Sequence, residues 1–256
     1  MKISIITATY NSGKTLRDTI ESVMRQTYAD YEHIIIDGGS KDNTKDIVDE
    51  YIPISNGRLK WYSGKDKGLY DAMNKGIARA SGDVIGVLNS DDFYADEKVL
   101  EKIANGTRNV DAVYGDLVFV DPVETSRIVR EWKGSQHIPG AFMKGWHPAH
   151  PTFYARKQLF DAFGGFDISF DVSADFELMF RFLEKGKASS QYIPHTFVKM
   201  RMGGESTGSI GKIIQGNKNV LRAFKKNGYK VPPFYLVRRL SPKVINLIKN
   251  KLHIKK

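Results

Sequence analysis

Val84-Ile85-Gly86-Val87-Leu88-Asn89-Ser90-Asp91-Asp92 is an apolar run that ends in a doubly acidic tip. A run with no polar residue on either face suits a strand buried on both sides, as in parallel sheets covered by helices. In open α/β sheets ligands gather at the carboxyl ends of strands, so the tip from Asn89 to Asp92 lies where a ligand would bind. The same form occurs twice upstream. Ile3 to Ala8 leads into Thr9-Tyr10-Asn11, and Glu32 to Ile36 leads into Asp37-Gly38-Gly39-Ser40. Strands of one design place their polar tips along one crevice.

The intervening segments carry helical periodicity. Leu16, Ile20, Val23 and Met24 predict an amphipathic helix over Lys14 to Gln26. Asp42 or Asn43 suits the cap of a helix with Ile47, Val48 and Tyr51 on one face. Leu59 to Tyr62 reads as a short strand and Leu69 to Ala80 as a helix rich in small residues. Alternating strands and helices are the pattern of βαβ units around a mostly parallel sheet.

The second half changes character. Ala112 to Val120 and Ile128 to Trp132 read as a β-ribbon, followed by a Gly/Pro/His-rich loop from Gly134 to Pro151. Thr152 to Ala155 and Tyr192 to Met200 read as strands. Ser173 to Glu184 reads as a helix with Phe176, Met179, Phe180 and Leu183 on its apolar side. Gly164-Gly165-Phe166-Asp167 suits a helix stop that shapes a cleft. The stretch from Gly203 to Gly211 reads as a mobile loop, and two basic amphipathic helices, broken at Pro232-Pro233, are predicted from Ile210 onward. No internal repeat or low-complexity segment is present.

The 256 residues suit one large domain, or one domain with an appendage. The absence of cysteine excludes disulfides and thiolate metal sites, and accords with a reducing cytoplasm. No run reaches the roughly 18 apolar residues that span a bilayer. The opening Met1-Lys2-Ile3-Ser4-Ile5-Ile6 is too short for a secretory signal and reads as a first strand. The net charge of +10 is unevenly spread: residues 206–256 hold ten Lys, three Arg and no acid, so the first 205 residues carry −3. Catalysis in the body and contact with an anionic partner through the tail is the expected division of labour.

Adjacent carboxylates at Asp91 and Asp92 offer the hard oxygens that Mg²⁺ or Mn²⁺ prefer. The alternative is a pair of turn acids before Asp96-Glu97. Asp37 with its glycines suits hydrogen bonding to a base or ribose, or a simple glycine turn. The dinucleotide fingerprint fails, because Ala8-Thr9-Tyr10-Asn11-Ser12-Gly13 lacks G-x-G-x-x-G, and no Walker loop is present.

Taken in order, Thr7-Ala8-Thr9-Tyr10-Asn11, Asp37-Gly38-Gly39-Ser40-Lys41-Asp42-Asn43-Thr44, Asp66-Lys67-Gly68-Leu69-Tyr70-Asp71-Ala72-Met73-Asn74-Lys75-Gly76 and Leu88-Asn89-Ser90-Asp91-Asp92 resemble family 2 glycosyltransferases of the GT-A fold. Among these the chain is most similar to the bacterial polysaccharide (colanic-acid-like) group. The resemblance covers about residues 1–205. It implies an α/β GT-A domain with a nucleotide-binding half at about 1–110 and an acceptor-binding half at about 111–205, followed by a basic helical region at 206–256.

The resemblance also implies roles. Thr7, Thr9 and Asn11 would line the nucleotide pocket, with Tyr10 near the base. Asp37 would bond the base, and Asp66 and Lys67 would lie beside the nucleotide. Asp71 and Asn74 would project toward ribose or sugar. Asn89, Ser90 and Asp91 would complete the donor site, and Asp91 and Asp92 would hold the metal and ribose. Asn89 departs from the common Asp-Ser-Asp-Asp form, yet it can still accept a hydrogen bond. Asp175, in Asp175-x-x-Leu178-x-x-Arg181, matches the acid that deprotonates the acceptor. Ala174 replaces the Glu usual before it. The residue reading alone makes Asp175 a first-turn helix acid and Glu177–Arg181 a surface i,i+4 pair.

His150 and Thr152 are expected near acceptor or sugar; His147 and His150 read equally as loop histidines, and His195 as structural. Lys199, Arg201 and the loop after Met202 are expected to close over a diphosphate. The implied reaction is inverting transfer from a nucleotide-diphosphate sugar to an acceptor hydroxyl, in bacterial surface polysaccharide synthesis. A saccharide or lipid-linked saccharide is the expected acceptor, with the enzyme cytoplasmic or peripheral at the inner membrane face.

The tail mixes Phe234, Tyr235, Leu236, Val237, Leu240, Val244, Ile245, Leu247, Ile248 and Leu252 with Lys and Arg. It suits either an anionic membrane surface or packing against the body. No nucleic acid is expected. The competing functions are a sugar-phosphate nucleotidyltransferase, which predicts a Gly-rich basic loop after the first strand, and a non-catalytic adaptor that binds anionic surfaces.

Overall fold

The chain opens with β1 (Ile3–Thr9), α1 (Leu16–Met24), β2 (Tyr31–Asp37), α2 (Thr44–Tyr51), β3 (Leu59–Ser63), α3 (Leu69–Arg79) and β4 (Val84–Val87). This computed structural model describes residues 1–203 and 210–239. The four strands pair in parallel in the order β3-β2-β1-β4. The unbroken Ile34-Ile35-Ile36 run explains why: Ile34 and Ile36 pack with Ala72 and Met73 of α3, while Ile35 packs with Leu16 and Ile20 of α1 and Ile47 and Val48 of α2. One strand thus needs helices on both faces. The register pairs Thr9 with Asp37, so two polar tips end side by side.

The second half comprises β5 (Phe93–Tyr94), α4 (Val99–Gly106), β6 (Ala112–Val120), β7 (Ile128–Trp132), β8 (Tyr154–Arg156), α5 (Lys157–Phe163), α6 (Ala174–Phe180), β9 (Ser190–Arg201) and α7 (Ile210–Lys226). The sheet continues β4-β8-β6-β9-β5, with β7 also on β6. β6 and β9 are parallel, whereas β8 runs antiparallel to both β4 and β6. The segment before β8 is the Gly/Pro/His loop with two short 3₁₀ turns, Phe142–Lys144 and His150–Thr152, and no crossover helix sets its direction. The β6–β9 register shifts around Gly115, where an added Cβ would lie 2.6 Å from the His195 carbonyl. Only glycine permits that approach.

The helix predicted over Ser173 to Glu184 is α-helical to Phe180 and then makes one π turn, Arg181–Lys185. On it docks α7. Val220, Ala223 and Phe224 are buried, and the Phe224 ring lies 4.9 Å from Phe180 and 4.8 Å from Tyr235. Burying such side chains contributes about 1.5–3 kcal/mol each, so the first basic helix packs on the body. Its outer face keeps Ile213 and Ile214 exposed, as are Phe234 and Val237 beyond it. Among the described residues no helix is long and apolar enough to cross a membrane. Most of the loop expected from Gly203 to Gly211, and the tail apolar residues Leu240, Val244, Ile245, Leu247, Ile248 and Leu252, lie outside the described residues.

Candidate active site

At the β2 tip, Asp37 is buried and fully engaged. It accepts from the Ser40 amide at 3.1 Å and hydroxyl at 2.5 Å, and from the Ser63 hydroxyl at 2.6 Å. It shapes the glycine turn. Gly38 is then flanked by Tyr10, which is 60% exposed, and by Asp66. An added Cβ at Gly38 would lie 2.7 Å from Asp66 Oδ2 and 3.4 Å from Tyr10 Cδ2, so both side chains pack closely against the Gly38 backbone. Asp66 is oriented by the Gly68 amide at 2.9 Å.

The β1 tip is less uniform than the motif implies. Thr9 is buried with its hydroxyl unpartnered among the described residues. Thr7 is fully buried below the tips: its hydroxyl donates to the Leu88 carbonyl at 2.8 Å and so accepts from His33 Nε2 at 2.9 Å. Burial depresses the His33 pKa to about 3, keeping the ring neutral. Asn11, at φ +51°, accepts from the Lys41 amide at 2.8 Å and donates through its own amide to Ser40 Oγ at 2.8 Å. It ties the β1 and β2 tips together.

On α3 the two polar residues diverge. Asp71 accepts from the Lys67 amide at 2.9 Å and pairs with Lys75 at 3.0 Å, contacts that hold its carboxyl below the usual range. The Lys67 side chain itself is exposed. Asn74 bonds the Phe166 main chain in both directions, each at 2.8 Å. Expected to face ribose or sugar, its amide is instead committed to the Gly164–Asp167 turn.

The acidic tip is the most desolvated part of the site. Asp92 has no exposed surface; it accepts from Asn89 Nδ2 at 2.9 Å and the Arg201 amide at 3.3 Å. Asn89 therefore acts here as a donor. Ser90 shares a hydroxyl contact with Ser12 at 2.9 Å. Burial pushes both carboxyls up, Asp92 well up with the neighbouring Asp91 charge adding to it, while Arg201 opposes.

Arg201 is built into the acidic tip. It is 7% exposed, bonds the Asp91 carbonyl at 2.6 Å, contacts the Asp18 carboxylate and lies over the Phe93 ring at 4.9 Å. Among the described residues no three His, Cys, Asp or Glu side chains form a metal cluster. Of the two carboxylates Asp91 alone has exposed surface, while both Asp92 oxygens are engaged, so a Mg²⁺ or Mn²⁺ here would meet Asp91 first, with phosphates completing its shell, the usual way such ions bind nucleotides.

Asp175 lies half-buried on the first turn of α6, after Ser173 at φ +67°. The Tyr70 hydroxyl is 3.5 Å from its Oδ1. Tyr70 stacks on Phe166 with centroids 5.5 Å apart, and His150 meets the same ring edge-on at 5.6 Å. Burial lowers the His150 pKa and the Asp175 charge opposes this, so the two side chains sense each other. Burial and Asp175 raise the Tyr70 pKa. Thr152, by contrast, is fully buried and its hydroxyl bonds the Gly115 and Ala149 carbonyls at 3.1 and 2.8 Å. It closes a turn and faces no cleft.

Glu177 and Arg181 are no surface pair. Glu177 is 2% exposed, Arg181 bonds it at 2.9 Å and reaches the Phe163, Gly164 and Gly165 carbonyls, and Asn227 adds a bond to Glu177 at 2.9 Å. His195, read as structural, bonds Asp96 at 2.7 Å. Two further residues escaped the sequence reading. Glu184 accepts from His137 at 3.2 Å and from the Gly140 amide, pinning the Gly/Pro/His loop. Tyr70 lies one turn before Asn74 on α3, a spacing that could have paired them. A depression of about 340 Å³ bordered by Asp116, Trp132 and His195 is built from β6, β7 and β9 and includes none of the strand-tip residues.

The model of the glycosyl transferase family 2 matches residues 4–182. A PGL/p-HBAD biosynthesis glycosyltransferase of Mycobacterium bovis is 30% identical over 190 residues, covering 74% of this chain and 73% of that one. An uncharacterized glycosyltransferase of Mycobacterium tuberculosis is 33% identical, covering 70% and 68%. Among solved structures, residues 1–349 of S. aureus TarS in complex with UDP-GlcNAc align with a TM-score of 0.71 and 18% identity, covering 94% of this chain and 73% of that one. A mannosyltransferase of Pyrobaculum calidifontis in complex with GDP-Man and Mn²⁺ aligns with a TM-score of 0.65 and 17% identity, covering 93% and 68%. These likenesses establish the GT-A fold.

Proposed function

The chain belongs to glycosyl transferase family 2, and we propose that, as a glycosyltransferase, it moves a sugar with inversion from a nucleotide-diphosphate donor to an acceptor hydroxyl. The observation that carries this is the span of α3. At its start Gly68 orients Asp66 beside Gly38 and the exposed Tyr10, and two residues on Tyr70 reaches Asp175. One helix thus links an exposed ring and a carboxylate suited to a nucleoside with a carboxylate suited to a proton.

In this reading Tyr10 packs on the base, Asp66 meets its edge or the ribose, and the unpartnered Thr9 hydroxyl gains a ligand. Asp91 and Asp92 would hold Mg²⁺ or Mn²⁺, which supplies Lewis-acid stabilisation of the charge that grows on the diphosphate. Asp175 accepts the acceptor's proton as the acceptor oxygen bonds to the anomeric carbon. The bond from that carbon to phosphate breaks, and its electron pair leaves with the nucleoside diphosphate. General-base help of this kind contributes about 10²–10⁴-fold. The division into a nucleotide half at about 1–110 and an acceptor half at about 111–205 follows, with His150 beside the acceptor.

The setting we propose is bacterial surface polysaccharide assembly on a saccharide or lipid-linked saccharide, at the cytoplasmic face of the membrane. The exposed Ile213, Ile214, Phe234 and Val237 lie in a segment, 210–239, whose charged residues are all basic, a mix that suits anionic lipid. Nucleotidyl transfer is the weaker reading: the turn after β1 is tied down by a 2.9 Å bond from the Gly13 amide to Asp42.

A donor screen tests the proposal. Purified protein is given several nucleotide sugars with Mn²⁺ or Mg²⁺ and assayed for nucleoside diphosphate release, beside Asp91→Ala and Asp175→Asn. Metal-dependent release from one donor, lost in both variants, is the expected result. Full activity in Asp175→Asn removes the base assignment, and full activity in Asp91→Ala removes the metal site.

A further inference from the structure

We propose that Tyr70 is the positioning residue for Asp175, held in place by the Asn74–Phe166 clasp; this rests on the reading of Asp175 as the base. A carboxylate that removes a proton must aim one oxygen at the acceptor, yet its terminal torsion is soft and broadly populated. Among the described residues the Tyr70 hydroxyl, 3.5 Å from Oδ1, makes the one side-chain hydrogen bond to Asp175, leaving Oδ2 unengaged. A donor on one oxygen fixes the rotation and presents the other.

The tyrosine is itself braced. Its ring stacks on buried Phe166 at 5.5 Å and 26°, and the Phe166 main chain is clamped by Asn74 through two 2.8 Å bonds. Asn74 and Tyr70 share one face of α3, one turn apart, so the chain of contacts begins and ends on one rigid helix. Gly165 makes the clasp possible, since an added Cβ there would lie 2.3 Å from Asn74 Oδ1. This gives Asn74 a task other than touching the sugar. It also supplies a neighbour for the base in a chain where Ala174 precedes it. Among the described residues the Asp175 charge is felt by Tyr70 on α3 and by His150 on the loop.

The test is Tyr70→Phe in the full chain, which keeps the ring and its stack. The readout is the split between kcat and donor KM with the donor selected by the screen: kcat should fall about tenfold with donor KM within about twofold. An unchanged kcat overturns the proposal, as does a loss of donor binding that accounts for the whole effect. Retained activity in Asp175→Asn instead overturns the base reading beneath it, so the two failures are distinct.

Discussion

Arg201 donates from its guanidinium to the main-chain carbonyl of Asp91 at 2.6 Å, across 110 residues of sequence. Its own amide bonds the Asp92 carboxylate, and its far nitrogen contacts Asp18 on α1. One residue at the end of β9 thereby sets both acids of the candidate metal site, and supplies the cation that partly offsets their burial.

Arg201→Ala should therefore weaken the fold and the site together. Asp18 is half exposed, so that ion pair contributes little; the lost carbonyl bond and the packing on Phe93 account for about 2 kcal/mol. Arg201→Lys keeps charge without the planar fork and should fall between. Urea unfolding measures the first effect, and calorimetry of nucleoside diphosphate binding with Mn²⁺ should show about a tenfold loss. Unchanged stability and affinity in the alanine variant would refute the assignment.

Gly38→Ala addresses the Tyr10–Asp66 end of the proposed nucleotide site. Gly38 does not need a left-handed backbone, so the fold should tolerate alanine with a melting temperature within a few degrees of wild type. Its methyl would displace Asp66 Oδ2, 2.7 Å away, and press on Tyr10, 3.4 Å away. Nucleoside diphosphate affinity should drop about tenfold or more. If calorimetry finds wild-type affinity, the base lies elsewhere.

Acid sensitivity should come from two buried groups at the sheet's other levels. Burial works against the Glu32 charge, but Lys60, Ser4 and Ser81 outweigh it and hold the pKa at about 2, from an ordinary 4.5. The folded pKa is depressed, so this stability is present above pH 4.5 and is lost as pH falls toward 2. His33, depressed from 6.5 to about 3, also costs stability as pH falls, but starting near pH 6.5, where the unfolded ring takes up its proton. Glu32→Gln should cost about 2 kcal/mol at pH 7 and flatten only the lower window. Denaturant titrations from pH 7 to 3 separate the two, and an unaltered lower limb in Glu32→Gln would show that Glu32 carries none of it.

What the sequence disclosed, and what it hid, follows from distance along the chain. The Ile34-Ile35-Ile36 run announces a strand covered on both faces because each residue carries its own preference for burial. Glu177 and Arg181 are four apart and legible as a pair, but their burial depends on Asn227 and on the carbonyls of Phe163 to Gly165. Asn74 is legible as a helix-face amide, yet its partner Phe166 is 92 residues away. The Arg201–Asp18 contact spans 183 residues, and no periodicity or motif encodes it. Thr7 and Thr152 matched the expected segments, but the motif does not say which hydroxyls the interior has already taken.

Asn89 offers the sharpest test of the acidic tip, because the resemblance to the Asp-Ser-Asp-Asp form leads one to expect an acid in its place. Its amide donates to Asp92 Oδ2 at 2.9 Å, and Asp92 is already pushed up by burial and by Asp91. Asn89→Asp removes that donor and brings another carboxylate against two desolvated ones, with Arg201 the one cation in contact with the tip among the described residues. Without divalent ions the variant should lose about 1–2 kcal/mol of stability. A cation bound between the acids relieves that repulsion, and a ligand that binds the native state raises apparent stability by mass action. Added Mn²⁺ should therefore raise the melting temperature of Asn89→Asp more than that of wild type. Equal rises would mean that the added acid takes no part in holding the ion, and no rise in either protein would mean that Asp91 and Asp92 do not gather a metal without donor, so that the diphosphate must bring it.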